Sequence, residues 1–260
     1  MTVMTNNGSI DGVDVAGLLG IPISAEQERA VRAPLDPCVV IAGAGTGKTT
    51  VMAARVVWLV ASGLVSPEEI LGLTFTNKAT MELSERIESN LTRVGLLKPD
   101  QPRPTVATYD SFAGTLVGDY GAWDGINTGA HLMTGARAYQ LASEVVVGLD
   151  KAPLAATHLG PTSIAQAVVK LAAAMASHDA SPDEVRKADA RWRQMLLDAP
   201  TKKGGDRYAD VDKWLSRVDE REELLDLVAA YQDLKKERGL VEFGDRMVQA
   251  LHLVTHHQRV

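Results

Sequence analysis

A glycine-rich segment directly after a short apolar run constrains the fold of this chain more than any other feature. Residues 41–50 read Ile-Ala-Gly-Ala-Gly-Thr-Gly-Lys-Thr-Thr and follow Val39 and Val40. An apolar strand, a glycine-rich loop and a helix in that order are the pattern of the phosphate-binding P-loop, with Ala42 in place of its usual first glycine. A loop of this kind is held by a parallel sheet with helices on its faces, so the sequence predicts an α/β fold.

The residue types in this loop suit the chemistry of a nucleoside triphosphate. Glycines at positions 43, 45 and 47 allow the backbone to turn tightly and to present N–H groups to phosphate oxygens. Lys48 supplies a positive charge to the β- and γ-phosphates, and Thr49 offers a hydroxyl to Mg²⁺. The helix that follows directs the positive end of its dipole at the same anion. The predicted phosphate and metal site comprises Ala42, Gly43, Ala44, Gly45, Thr46, Gly47, Lys48, Thr49 and Thr50, with Lys48 and Thr49 as catalytic groups and Thr49 as the metal ligand.

Composition and charge narrow the class of protein. The 260 residues are 45% apolar and 23% charged, as in an ordinary globular protein. The single cysteine, Cys38, excludes an internal disulfide and is expected to be buried. No apolar run is long enough to cross a membrane and residues 1–8 carry no export signal, so the cytoplasm is the expected compartment. The net charge of −6 does not indicate a nucleic-acid-binding protein, although a local basic groove is compatible with it.

Cap signals and apolar periodicity predict the elements around the loop. Ser24 and Gln27 have the spacing of a helix capping box, and prolines at 34 and 37 end that helix. The predicted order is a helix over 24–32, a buried strand over 38–41, a helix over 47–61, a strand over 70–75, a helix over 79–91 and a third strand from Val106. Strands and helices that alternate at this spacing predict a parallel sheet.

After residue 112 helical patterns replace the strand signals. Helices are predicted over 136–147, 164–177, 182–197 and 222–238, with a flexible connector over 201–206. In the last helix one face carries Leu224, Leu227, Val228 and Tyr231. The predicted organisation is a flexible leader over 1–20, a sheet-containing part over 21–112, a helical insert over 113–238 and a return to the first domain over 239–260.

Five short motifs follow one another along the chain at the spacing of one family. They are Ser-Ala-Glu-Gln-Glu-Arg-Ala-Val at 24–31, the P-loop at 42–49, Leu-Thr-Phe-Thr-Asn-Lys-Ala at 73–79, Ala-Thr-Tyr-Asp-Ser-Phe at 107–112 and Leu-Val-Glu-Phe-Gly-Asp at 240–245. Together they resemble the UvrD/Rep type of superfamily 1 DNA helicases, strongly over 21–112 and only in layout over 113–245. The resemblance implies a P-loop NTPase fold of the RecA-like type, whose parallel sheet (domain 1A) carries an inserted all-helical subdomain (domain 1B).

The resemblance also implies cofactors and roles. ATP and Mg²⁺ are the expected cofactors, and Gln27 is expected to read the adenine edge, since a carboxamide both donates and accepts hydrogen bonds. The alternative is that Gln27 only caps its helix. Phe243 and Asp245, in the last motif, are expected to be structural and to close the helical insert back onto the sheet.

Single-stranded DNA is the partner that the family implies, bound where two parallel strands end. Phe75 is expected to stack on a base, and Thr76 or Asn77 to bond a phosphate. Thr108 and Tyr109 are expected to make a second backbone and base contact, although the Tyr-Asp pair that begins at Tyr109 departs from the Phe-His common in the family. The alternative for Phe75 is a core aromatic.

One departure from the family bears on activity. Hydrolysis of ATP in this family needs an Asp-Glu pair after an apolar strand, but the pairs at 183–184 and 219–220 lie in polar, helical stretches. Thr50 also replaces an arginine that many relatives use to contact the nucleotide. The chain is therefore interpreted as an N-terminal helicase fragment, cut before its Walker B carboxylates, that binds nucleotide without hydrolysing it.

Two other functions remain open from the sequence. The alternative to a helicase fragment is a stand-alone P-loop regulatory protein that binds nucleotide. A small-molecule kinase would leave the motif at 74–79 unexplained. The sequence leaves open whether a helicase or nuclease subunit is a further partner.

Overall fold

The chain forms two compact units in the computed structural model, which describes residues 14–98, 100–149 and 159–258. The first unit comprises Met1–Phe112 and the second Ala113–Val260. Each unit combines helices with one small parallel sheet. The α/β class is therefore confirmed, whereas the RecA-like topology of the sheet stays a prediction.

Helices and strands alternate around the P-loop in the first unit. Its elements are α1 (Val15–Leu19), α2 (Ala25–Val31), α3 (Lys48–Ala61), β1 (Leu71–Thr74), α4 (Asn77–Arg93) and β2 (Thr105–Thr108), with a 3₁₀ turn at Pro67–Glu69. Five of the six elements predicted around the loop are present as α2, α3, β1, α4 and β2. The capping box at the start of α2 is also present, because the Ser24 side chain accepts from the Gln27 backbone and the Gln27 side chain accepts from the Ser24 backbone.

The two strands of the first unit end side by side. β1 and β2 pair in parallel, with Leu71 opposite Thr105 and Thr74 opposite Thr108. Helix α4 connects them and packs on α3 through an apolar core of Ala53, Val57, Leu83, Ile87 and Leu91. Because the pairing is parallel and ends at residues 74 and 108, the residues that follow each strand come to the same edge of the sheet.

The buried strand predicted over residues 38–41 is absent, and this prediction was wrong. The segment has no regular secondary structure, and Val39 and Ile41 are 86% and 95% exposed. Cys38 is exposed as well, contrary to expectation. A buried parallel strand needs neighbouring strands for its N–H and C=O groups and helices over its faces. In the described part of the first unit the sheet has two strands, and neither pairs with residues 38–41.

Residues 15–19 of the predicted flexible leader over 1–20 form a helix. Residues 1–13 lie outside the described residues, but residues 15–19 form the short helix α1, which ends at Gly20 with a φ of 64°. Val15 is fully buried and packs with Val31, Ala54 and Trp58. Burial of this apolar side chain gives the segment a fixed position, which a composition rich in glycine and polar residues does not reveal.

The second unit is built mainly of helices. Its elements are α5 (Tyr109–Tyr120, which begins before the boundary), a 3₁₀ turn at Gly121–Asp124, β3 (His131–Leu132), α6 (Gly135–Val147), α7 (Pro161–Ser177), α8 (Pro182–Leu197), α9 (Ala209–Glu237), β4 (Leu240–Val241) and α10 (Phe243–His256). Its main core lies between α6, α7 and α9, and the predicted apolar face of Leu224, Leu227, Val228 and Tyr231 is buried there.

Several features of this unit differ from the sequence-based expectation. Helix α9 begins at Ala209, well before the predicted start at 222, and α5, α10 and the parallel pair of β3 and β4 were not predicted. Residues 239–258 lie in the second unit, where β4 pairs with β3, and their assignment to domain 1A stays a prediction. Among the described residues, no helix combines the length and the apolar character that crossing a membrane requires.

Candidate functional site

The P-loop leads directly into the first turn of α3. Gly45 and Gly47 have φ angles of 76° and 81°, a conformation that side chains with a Cβ atom rarely adopt. Gly47 is the N-cap residue of α3, so Lys48, Thr49 and Thr50 form its first turn. The positive end of the helix dipole is thereby directed at the loop, which favours an anion at this position.

The ammonium group of Lys48 lies over the loop. Its Nζ donates to the carbonyl oxygens of Ala42 and Gly43 at 3.2 and 2.7 Å, while the Thr46 hydroxyl donates to the same Gly43 carbonyl at 2.9 Å. A lysine side chain is flexible, and both acceptors are neutral carbonyls. A phosphate oxygen would be a stronger acceptor for this cation.

Gln27 has two roles in the structure. Its Oε1 accepts from the Ser24 N–H at 2.9 Å, which caps α2, and its Nε2 donates to the Thr46 carbonyl at 3.0 Å. A Cβ atom added to Gly47 would lie only 3.1 Å from this Nε2. Gln27 therefore caps its helix and also lies against the P-loop, and the adenine contact expected of it stays a prediction.

An arginine that the sequence analysis did not select also reaches the first turn of α3. Arg86, on α4, donates from Nη1 to the Thr50 hydroxyl oxygen at 2.9 Å. The two residues are 36 positions apart, and no local pattern in the sequence relates them. Only the packing of α4 against α3 brings this guanidinium beside the loop.

Phe75 and Tyr109 form an exposed aromatic pair at the carboxyl ends of β1 and β2. Their ring centroids are 5.1 Å apart with an interplanar angle of 35°, and the residues are 89% and 42% exposed. The alternative of Phe75 as a core aromatic is therefore excluded. Two exposed rings side by side offer flat apolar surface on which a planar group can stack.

The polar residues beside this pair start the helices that follow the strands. Thr76 is exposed and caps α4, with its hydroxyl accepting from the Ala79 N–H at 3.2 Å, and Asn77 is the first residue of that helix. The Thr108 hydroxyl accepts from the Ser111 N–H at 3.1 Å at the start of α5. Two helix N-termini thus lie directly after the strand ends, where N–H groups favour a phosphate.

The carboxylate pairs considered for Mg²⁺ lie on helices of the second unit. Asp183 and Glu184 are in the first turn of α8, where Glu184 completes a capping box with Ser181. Asp219 bonds to Arg193, and Glu220 is buried and bonded to Arg217. Neither pair follows a strand, as expected. Within the described ranges no three His, Cys, Asp or Glu side chains are grouped as metal ligands.

Comparison with known protein families matches most of the chain to one family model. The model of the UvrD/REP helicase N-terminal domain matches residues 23–260. The match includes both the P-loop and the strand ends that carry the aromatic pair. It therefore extends well beyond the phosphate-binding motif that many NTPases share.

Individual relatives match shorter segments. DNA helicase IV of Escherichia coli is 49% identical over 70 residues, which are 27% of this chain and 10% of the relative. ATP-dependent DNA helicase PcrA of Bacillus subtilis is 48% identical over 65 residues, 25% of this chain and 9% of the relative. A probable DNA helicase II homolog of Rickettsia conorii is 37% identical over 97 residues, 37% of this chain and 14% of the relative. The matched segments thus span 14% or less of these relatives.

Proposed function

Since the chain belongs to the UvrD/REP helicase N-terminal domain family, we propose that it binds ATP with Mg²⁺ at its P-loop and single-stranded DNA at the Phe75–Tyr109 pair. In this proposal the first unit is the RecA-like domain 1A and the helical part of the second unit is domain 1B. The chain would act as the N-terminal part of an ATP-dependent helicase or translocase. Nothing in the comparisons supports the alternative of a stand-alone regulatory protein.

The observation that carries the proposal is that the P-loop and an exposed aromatic pair lie in the same unit. The P-loop offers the Lys48 cation, two glycines in the left-handed region and a helix N-terminus, which together suit the phosphates of a nucleotide. Thr49 and the phosphates would hold Mg²⁺, which supplies neutralisation of the phosphate charge. A P-loop alone would fit many NTPases, but the exposed aromatic pair adds a surface for nucleic acid.

The aromatic pair suits DNA without sequence preference. Every base has a flat π-face, so stacking on Phe75 and Tyr109 discriminates little between bases. The N-termini of α4 and α5 and the exposed Lys78 lie within a few residues of the rings and favour phosphates between the stacked bases. Thr76, Asn77 and Thr108 are the proposed polar contacts in this surface.

Titration of Mg–ATP by calorimetry tests the nucleotide site. Lys48→Ala removes a charge-assisted contact of about 1.5–3 kcal/mol, so we expect affinity to fall roughly ten- to a hundred-fold. Lys78→Ala is the matched control, because Lys78 is an exposed lysine of the same unit, on α4 beside the proposed DNA surface, and should leave Mg–ATP affinity unchanged. Equal affinities of the wild type and Lys48→Ala would refute the nucleotide site.

A further inference from the structure

Arg86 is a cation at the P-loop helix that the proposed function does not yet use. Its Nη1 donates to the Thr50 hydroxyl at 2.9 Å, and Thr50 directly follows the two catalytic candidates, Lys48 and Thr49. The bond joins the middle of α4 to the first turn of α3. The guanidinium is therefore held within one helical turn of the predicted phosphate site.

The Thr50 side chain that Arg86 contacts lies against Gly47 of the loop. A Cβ atom added to Gly47 would be 3.1 Å from Gln27 Nε2 and 3.8 Å from Thr50 Cβ, so the Gln27 amide and the Thr50 side chain both border Gly47. Arg86 bonds to the second of these side chains. The Gln27 amide thus borders the loop directly, and Arg86 is joined to it through the Thr50 side chain.

The bonding of Arg86 leaves its charge available to an anion. Its partner in the described part of the chain is a neutral hydroxyl, whereas other arginines of the protein, such as Arg103 with Glu88, are paired with carboxylates. A guanidinium presents five N–H donors in a planar fork, so one bond to Thr50 leaves donors for another acceptor. Phosphate oxygens are the acceptors that this geometry fits best.

We propose that Arg86 contacts the nucleotide directly and provides a second cation, beside Lys48, for its phosphates. The inference rests on the proposed nucleotide site, since it assigns a further residue to that site. In this role Thr50 holds the guanidinium in position through its hydroxyl. The charge that reaches the nucleotide comes from α4, and α4 also begins next to the aromatic pair.

Calorimetric titration with Mg–ATP at fixed salt tests the assignment. We expect Arg86→Ala to weaken binding about tenfold, the loss of one charge-assisted contact at an exposed position. Arg86→Gln keeps an amide donor for Thr50 but removes the charge, so it should weaken binding to a similar extent. If Arg86→Ala does not fold, as judged by circular dichroism, Arg86→Gln decides the question.

A variant that conserves the charge separates a nucleotide contact from a structural role. Arg86→Lys keeps a cation at the same position of α4 and should retain much of the affinity that Arg86→Gln loses. If Arg86 served only to join α4 to Thr50, Arg86→Gln would bind Mg–ATP as well as Arg86→Lys does. Arg103→Ala is the matched control, because Arg103 precedes β2 at the opposite edge of the sheet, and it should leave Mg–ATP affinity unchanged.

Each outcome separates this inference from the proposed function. If Lys48→Ala weakens binding and neither Arg86 variant does, the Arg86 assignment is overturned while the P-loop site stands. Equal losses of affinity in Arg86→Lys and Arg86→Gln also count against a contact that depends on the charge. If Lys48→Ala binds Mg–ATP as well as the wild type, the proposed site itself fails, and the role of Arg86 fails with it.

Discussion

At the scale of single residues, Phe75 offers the sharpest test of DNA binding. Base–aromatic stacking contributes about 1–3 kcal/mol per base. Phe75→Ala should therefore weaken the binding of single-stranded DNA by that amount and leave the affinity for Mg–ATP nearly unchanged. Because the residue is 89% exposed, its truncation should not lower the thermal midpoint. Fluorescence anisotropy with a labelled oligonucleotide at two salt concentrations separates stacking from phosphate contacts, since only the latter depend strongly on salt.

Phe243 provides the control for that experiment. It is a 56% exposed phenylalanine at the start of α10 in the second unit, outside the proposed DNA surface. Phe243→Ala should bind the oligonucleotide as the wild type does. Loss of fold in Phe75→Ala, or equal losses of DNA affinity in both variants, would contradict a specific stacking role for Phe75.

At the scale of elements, a buried ion cluster fixes the junction between α9 and α10. Lys235 is 3% exposed, and its Nζ lies 3.0 Å from Glu242 Oε2 and 2.6 Å from Asp245 Oδ2. The Tyr231 hydroxyl donates to Glu242 at 3.0 Å, and burial, followed by the charges of Glu242 and Asp245, raises the pKa of that hydroxyl. Asp245 also accepts from the Glu242 N–H and so caps α10. Asp245 is thus structural, as expected from its motif, but within the second unit.

Removal of the cation from this cluster should destabilise the second unit. Lys235→Ala leaves two carboxylates facing each other in a largely buried setting, and breaking a buried ion pair in this way costs about 3–5 kcal/mol. The adjacent Lys236 is exposed, so Lys236→Ala should have little effect. Urea unfolding followed by circular dichroism measures both variants. A Lys235→Ala protein with the unfolding midpoint of the wild type would show that the cluster contributes little.

At the scale of the whole molecule, the arrangement of carboxylates predicts weak catalysis. The described residues place no Asp-Glu pair after a strand, and both pairs in the sequence serve as helix caps or ion-pair partners in the second unit. Binding groups alone do not orient the attacking water or balance the charge that develops during phosphoryl transfer. We therefore expect the 260-residue chain to bind Mg–ATP with negligible steady-state phosphate release. Release that rises strongly with added single-stranded DNA would disprove this.

The sequence by itself determined the features that depend on neighbouring residues. The glycines of the P-loop, the capping box of Ser24 and Gln27, and the apolar face that includes Leu224 and Tyr231 all act over a few positions, so their spacing is sufficient to predict them. The order of the motifs also predicted the helicase family, and the match of the family model over residues 23–260 confirms that prediction.

Only the tertiary structure decided the features that join distant parts of the chain. The contact of Phe75 with Tyr109, the bond of Arg86 to Thr50 and the exposure of residues 38–41 depend on which surfaces pack together. The apolar run at 38–41 has the local propensity of a strand, yet a strand forms only where another strand and a covering layer meet it. Propensity is a property of the segment, whereas pairing and burial are properties of the assembled fold, and spacing along the chain does not specify them.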